Sequence, residues 1–404
     1  MVLGEESGRL TMTLSSSEPD EDALGWLHIR LTPNLTRTHF HQLARRFGSP
    51  AYVFGAVPEQ ITELKGFAPE LARAVVNANT LMRDEVKKEL ERMDRLGVKL
   101  LSEEDDDYPV NLANSNSPPP LIYVRGTLDK KRDQCALAVI GTRTPTQYGI
   151  TITEQLVKPI AARGITIVSG MAIGLDGIAH KATLSAKGRT IAILGTGLGR
   201  CYPASHKKLA ETIIAENGAI ISEYPMETTS AFAQITFPER NQVIAAMSLG
   251  VLVVEAKENS GTMITVKAAL EENRTVFAVP GDINRENSQG TNALIAAGAK
   301  LTQHATDIFD EMAEPIARLL NNNTKPQQTK TMDNTISEMV LETLTREEKI
   351  ILDILRHEPA HIDVIRDRAA PQGIPPRIVP NILMELELKE LISMMPGKIY
   401  TTKI

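Results

Sequence analysis

The sequence predicts an α/β core over residues 101–312, with a small α-helical domain before it and a winged helix after it. Three observations carry this. Short apolar runs alternate with helical stretches through the middle of the chain, which signals a parallel sheet. Runs such as ITIVSG and VLVVEA are apolar almost throughout, as strands buried on both faces of a doubly wound sheet must be. Outside the core, apolar residues recur at helical spacing instead.

The elements follow in order. Residues 1–21 are polar and acidic, without the basic-then-apolar order of a secretory signal, and are expected to form a disordered leader. From 22 to 100 the spacing of Leu24, Leu27 and Leu31, then Phe40, Leu43 and Phe47, predicts a helical domain. Its segment LKGFAPELARAVV (64–76) places a Gly turn between helices, as a helix-hairpin-helix contact to a DNA backbone would, although an ordinary helical connection explains it more simply. Strands are expected at 136–140, 165–169, 190–194, 219–222, 251–255 and 276–279, with helices between them. The polar stretch NNNTKPQQTKTMDNTIS lies in an expected linker, 313–340, having little with which to build a core. In 341–404 three helical segments precede MMPGKIYTT, the order of a winged helix-turn-helix.

Composition narrows the function classes. No apolar run approaches the roughly 20 residues of a membrane span, so no membrane insertion is expected. Cys135 and Cys201 stand far apart without a CxxC partner, which suggests neither a disulfide framework nor a metal site and fits a reducing cytoplasm. The net charge of -6 argues superficially against nucleic acid, but within residues 131–304 Lys and Arg outnumber Asp and Glu by 17 to 14. A local basic groove thus remains open to a nucleic acid.

In an open parallel sheet, ligands bind beyond the carboxyl ends of the strands. There the sequence reads GTRTPTQYG (141–149), SGMAIGLDGIAH (169–180), GTGLGRCYP (195–203) and NSGTMITVKAA (259–269). Glycine lets backbone N–H groups approach an anion, and a following helix N-terminus adds its dipole. Arg143 in the first loop can grip a phosphate with two bonds. In ITFPERNQVIAAMS (235–248), Phe237, Arg240 and Asn241 combine an aromatic face with cationic and polar groups, which suits a stacked base. A hydrophobic staple and a salt bridge would explain the same residues equally well.

These blocks, with SEYP, NRTVFAVPG, GTNALIAAGA and the approach DYP to PPPLIYVRG, resemble the DprA/Smf family in order and spacing over about 108–305. The resemblance implies an extended Rossmann-like domain behind a small helical domain of SAM or helix-hairpin-helix type. It further implies a non-enzymatic protein without cofactor or metal that binds single-stranded DNA, dimerises, and assists RecA loading in natural transformation. Carried onto this chain, it gives the phosphate-loop role to Gly141, Thr142 and Arg143 and the strand-holding role to Phe237, Arg240 and Asn241. Ser169, Gly170, Gly195, Thr196, Ser260, Gly261 and Thr262 would line the same edge, with Lys267 as a further cation. Two departures stand out: Gln242 replaces an Arg and Gly199 an Asp, and Arg200, Lys257 or Lys267 could supply the missing charge.

Three other readings compete. A dinucleotide-dependent oxidoreductase fails because GTGLGR follows the third strand with the wrong Gly spacing and no later acid for a ribose. A phosphoribohydrolase-like enzyme on a related core is closer, but the PGG is absent and Thr265 stands where its Glu would align. Asp176 and His180 could form an acid–base pair for it, although a spacing of four is also that of an exposed helical pair, the favoured reading here. A winged-helix transcription factor is disfavoured by charge, since Arg377 and Lys389 face Glu385, Glu387 and Glu390.

Overall fold

The computed structural model describes residues 20–322, 345–357, 360–376, 378–388, 391–395 and 399–402. The chain divides into two compact units, residues 1–323 and 324–404.

In the first unit, nine strands form one sheet: β1 (Val98–Ser102), β2 (Leu121–Gly126), β3 (Ala136–Ile140), β4 (Thr166–Ser169), β5 (Thr190–Leu194), β6 (Ala219–Ser222), β7 (Gly250–Val253), β8 (Thr275–Ala278) and β9 (Lys300–Leu301). Their order is β1-β2-β6-β5-β4-β3-β7-β8-β9. From β6 to β9 neighbours run parallel, while β2 is antiparallel to both β1 and β6. The chain winds outward from β3 on one side and resumes at β7 on the other, so the switch point lies between β3 and β7. The six expected strands are the parallel ones β3 to β8, while β1, β2 and β9 were not foreseen.

Alternation within each strand divides the core. Leu137 and Val139 pack with Leu156, Val157 and Ile160 of helix Gln147–Ala162 and with Leu175 and Ala179 of helix Leu175–Ser185. Ala138 and Ile140 face the other way, towards Val243 and Ile244 of helix Ala233–Ala246 and Val266 of helix Thr262–Glu271. Ile308 and Met312, spaced by four, seat helix Ala305–Asn322 on the first face. That helix passes residue 313, where the linker was expected to start, and the rest of that stretch to 340 lies outside the described residues.

Seven short helices between Glu21 and Leu96 precede the sheet. Their buried residues, among them Trp26, Leu27, Phe40, Leu43 and Ile61, share one cluster with Leu121 and Tyr123 of β2, Ala192 and Leu194 of β5, and Ile220 of β6. The turn at Gly66 has a φ of 91° and lies under His39, where a Cβ would meet the imidazole. The expected leader, 1–21, lies outside the described residues except for Asp20 and Glu21, which open the first helix.

The second unit carries helices Arg346–His357, Ile362–Ala369 and Val379–Leu388, with β10 (Ala360–His361), β11 (Ile392–Met395) and β12 (Ile399–Thr402) paired in the order β10-β12-β11. It is a winged helix with its own core of Ile351, Leu355, Ile365, Leu383 and Ile392. A capping box, Thr345 with Glu348, opens its first helix. Arg377 and Lys389 lie outside the described residues. Among the described residues, no helix is long and apolar enough to cross a membrane.

Candidate functional site

Gly-rich loops after β3, β4 and β5 meet at the carboxyl edge of the sheet. The loop after β3 is pinned on both sides: Thr142 N–H donates to the Glu255 carbonyl at 2.8 Å, and Leu175 N–H donates to the Thr142 carbonyl at 3.2 Å. No Cβ fits at Gly141, because it would press on Leu175 and the Glu255 carbonyl. Pinned in this way, the loop holds Arg143 out in solvent, and among the described residues no ion pair engages it.

Beyond β4 the chain turns through Met171, a buried residue at φ 60°, a conformation costly for any residue but glycine. The turn is held by Asp176, which accepts from Gly170 N–H at 3.2 Å and Ala172 N–H at 3.3 Å. Burial pushes the Asp176 carboxyl up, and the Arg240 guanidinium and these amides oppose the rise. Beyond β5, Gly195 gives room to the Phe237 ring, since a Cβ there would collide with it. Thr196 is buried, and among the described residues its hydroxyl has no partner.

Helix Ala233–Ala246 supplies the other wall. Arg240 is buried and donates through Nη1 to the carbonyls of Gly170 and Ile193, the latter at 2.7 Å, and through Nε to Asn241 Oδ1 at 3.0 Å. Its charge therefore ties the ends of β4 and β5 together. Two guanidiniums, those of Arg143 and Arg240, each lie 5.7 Å from the centroid of the Phe237 ring. Tyr202 adds a second ring 5.7 Å away. Together these groups enclose a cavity of about 60 Å³.

Of the residues expected from sequence, Arg143, Gly170, Gly195, Thr196, Phe237 and Arg240 line this cavity. Gly141, Thr142 and Asn241 sit behind it, fixing its lining. Ser169 is fully buried, and its hydroxyl donates to the Val139 carbonyl at 2.6 Å. Ser260, Gly261 and Thr262 follow β7 and do not line the cavity, and exposed Lys267 stands 3.8 Å from Glu271. Lys257 pairs with Glu286, leaving Arg200 as the exposed cation of the three for which no ion pair is seen among the described residues.

Sequence reasoning missed Tyr202 and Ile173, both exposed at the cavity mouth. The aromatic beside proline in GTGLGRCYP was the available signal for Tyr202. The exposed-pair reading of Asp176 and His180 is corrected, because both are buried. His180 Nδ1 is 2.7 Å from Thr190 Oγ1, and among the described residues its Nε2 has no partner.

The switch point is occupied by the chain itself. Glu255 is buried, and its carboxylate accepts from Thr146 N–H at 2.9 Å and from the Thr146 hydroxyl, at the start of helix Gln147–Ala162. Gly149 makes room, since a Cβ there would overlap the carboxylate. Where such folds commonly seat a pyrophosphate, this one holds its own carboxylate. Among the described residues, no cluster of His, Cys, Asp and Glu is arranged to hold a metal.

The fold and this edge define a Rossmann-like protein whose pocket combines Gly-rich loops, aromatic rings and an exposed guanidinium. Residues 99–313 match the family model described as DNA recombination-mediator protein A, and residues 337–398 match the DprA winged helix domain. Protein Smf of Escherichia coli is 34% identical over 298 residues, covering 74% of this chain and 76% of that one. DNA processing protein DprA of Bacillus subtilis is 38% identical over 218 residues, 54% of this chain and 72% of that one. The X-ray structure of DprA from Streptococcus pneumoniae superposes with a TM-score of 0.60 at 28% identity, covering 71% of this chain and 97% of that one. The chain belongs to the DprA/Smf family.

Proposed function

We propose that this protein binds single-stranded DNA at the β3–β5 edge without catalysing a reaction on it, and that it assists RecA loading in recombination and natural transformation. The observation that carries the DNA reading is the half-buried Phe237 ring lining the pocket beside exposed Tyr202, with the Arg143 and Arg240 guanidiniums each 5.7 Å from its centroid. A base can stack on exposed Tyr202 and the accessible part of the Phe237 ring while Arg143 holds its phosphate, and neither contact depends on sequence. RecA as partner, the homodimer and the cytoplasmic location are proposed from the family resemblance. The Glu255 carboxylate at the switch point, with Thr265 buried where a phosphoribohydrolase would need Glu, argues against a nucleotide-cleaving enzyme.

The test is fluorescence anisotropy of a labelled single strand and its duplex across a salt series, with Arg143→Ala alongside. Salt-sensitive preference for the single strand is expected, and the variant should lower the log–log salt slope by about 0.7, the value for one single-strand phosphate contact. Preference for duplex, or no binding, would overturn the reading. An unchanged slope would remove Arg143 from the site.

A further inference from the structure

The helices that precede the family-model match contact the elements around the DNA pocket at three points. Glu89 of helix Arg83–Leu96 is buried and accepts from Met226 N–H at 2.6 Å. The carbonyls of Met226 and Thr228 in turn accept from Gly199 and Gly197 N–H, both at 2.9 Å, which fixes the loop after β5. Arg37 of helix Arg37–Phe47 donates through Nε to both oxygens of Glu223, at 3.0 and 3.1 Å, and through Nη1 to Gln242 Oε1 at 3.0 Å. Arg30 lies 5.7 Å over the Tyr224 ring, and the Tyr224 hydroxyl donates to Glu239 Oε2 at 2.6 Å and lies 3.3 Å from the Thr236 carbonyl.

Glu239 and Gln242 share helix Ala233–Ala246 with Phe237 and Arg240, so Arg37 reaches the element that forms the pocket wall directly, and Arg30 reaches it through Tyr224. We infer that the N-terminal helices act as a positioning element of the DNA pocket. Arg37 and Tyr224 set the placement of helix Ala233–Ala246, and hence of the Phe237 ring against Gly195. This also accounts for Gln242 where the family commonly has Arg: an amide oxygen accepts from Arg37, whereas a guanidinium would repel it. The proposal rests on the reading of Phe237 as a DNA contact.

Tyr224→Phe keeps the ring under Arg30 and deletes only the hydroxyl tie, and Gln242→Ala deletes the Arg37 tie while leaving Glu223 paired. Both are made in the full chain, alone and combined with Phe237→Ala. Hydrogen exchange without DNA reads the helix directly, and oligonucleotide anisotropy reads the consequence. Each variant should speed exchange within residues 233–246 by about 2- to 10-fold, the effect of one net hydrogen bond, with β3 and β8 unchanged. Single-strand affinity should fall by a similar factor at an unaltered salt slope, and in the Phe237→Ala background neither change should cost more. Wild-type exchange at the helix, acceleration spread over the whole sheet, or equal losses with and without Phe237 would overturn the positioning role. A wild-type chain that ignores the single strand yet gives localised acceleration would overturn the DNA reading alone and uphold the tie.

Discussion

Glu255 decides which part of the sheet edge is open to an anion. Its carboxylate sits at the N-terminus of helix Gln147–Ala162, bonded to Thr146 and fitted against Gly149, so an incoming phosphate would meet a negative charge at the switch point. Removing it should have two effects. Glu255→Ala leaves the Thr146 N–H without its partner, which should cost about 1–3 kcal/mol in urea unfolding. It also frees the helix terminus, so pyrophosphate should raise the melting temperature of the variant by more than it raises that of the wild type. Equal stabilisation of both proteins would show that Glu255 excludes nothing. This role was not legible in VLVVEA, because it depends on Thr146 and Gly149 from a distant loop. That Arg143 and Phe237 share one cavity was legible, since a cation in a Gly-rich strand-end loop and an aromatic beside Arg240 both belong to the carboxyl edge of the sheet. The spent hydroxyl of Ser169 and the free one of Thr196 were not, because strand-end serines and threonines look alike until their neighbours are known.

Helix Leu175–Ser185 shows the same limit at the scale of an element. A spacing of four puts Asp176 and His180 on one helical face, but spacing does not say whether that face meets water. Here the helix packs on helix Gln147–Ala162 and on β3, β4 and β5, which buries both residues. Burial, with the nearby His206 and Arg240, lowers the His180 pKa from 6.5 to about 3. The unfolded chain therefore binds a proton that the folded chain refuses. Stability from this group is complete above pH 6.5 and is lost as pH falls towards 3. Glu223 acts in a lower window: burial would raise its pKa, but Arg37 and His41 overcome this and hold it at about 2, so its contribution is lost below pH 4.5. Urea midpoints of the wild type should thus fall between pH 7 and 5, and His180→Gln should flatten that fall while leaving the drop below pH 4.5. A variant with the wild-type slope between pH 7 and 5 would assign the loss elsewhere. Strands β3 to β8 were foreseen to within two residues because burial on both faces leaves continuous apolar runs. β1 carries exposed Lys99 and β9 is two exposed residues, so neither gives that signal.

For the whole molecule, the question is where the chain can be cut. Changes in hydrophobic period suggest a boundary near residue 100, and the family-model match starts at 99. The packing crosses that point: Tyr123, Leu121, Ala192, Leu194 and Ile220 of the sheet are buried in one cluster with Trp26, Phe40 and Ile61 of the preceding helices. Period along the chain reports which residues want burial, not which distant element provides it. A chain beginning at residue 99 would expose these side chains together with the tied groups Glu223 and Met226, an apolar patch of the kind that drives aggregation. The described residues of 324–404 have their own core, and those of 1–323 have others, so a cut at 323 interrupts none of these clusters. A fragment of 20–323 should therefore elute as a soluble species, melt near the temperature of the full chain's sheet, and keep its affinity for the single strand. A fragment of 99–404 should aggregate or melt far lower. If 99–404 instead melted like the full chain and bound DNA with equal affinity, the shared cluster would be dispensable, and residue 99 would be a folding boundary as well as the edge of the family match.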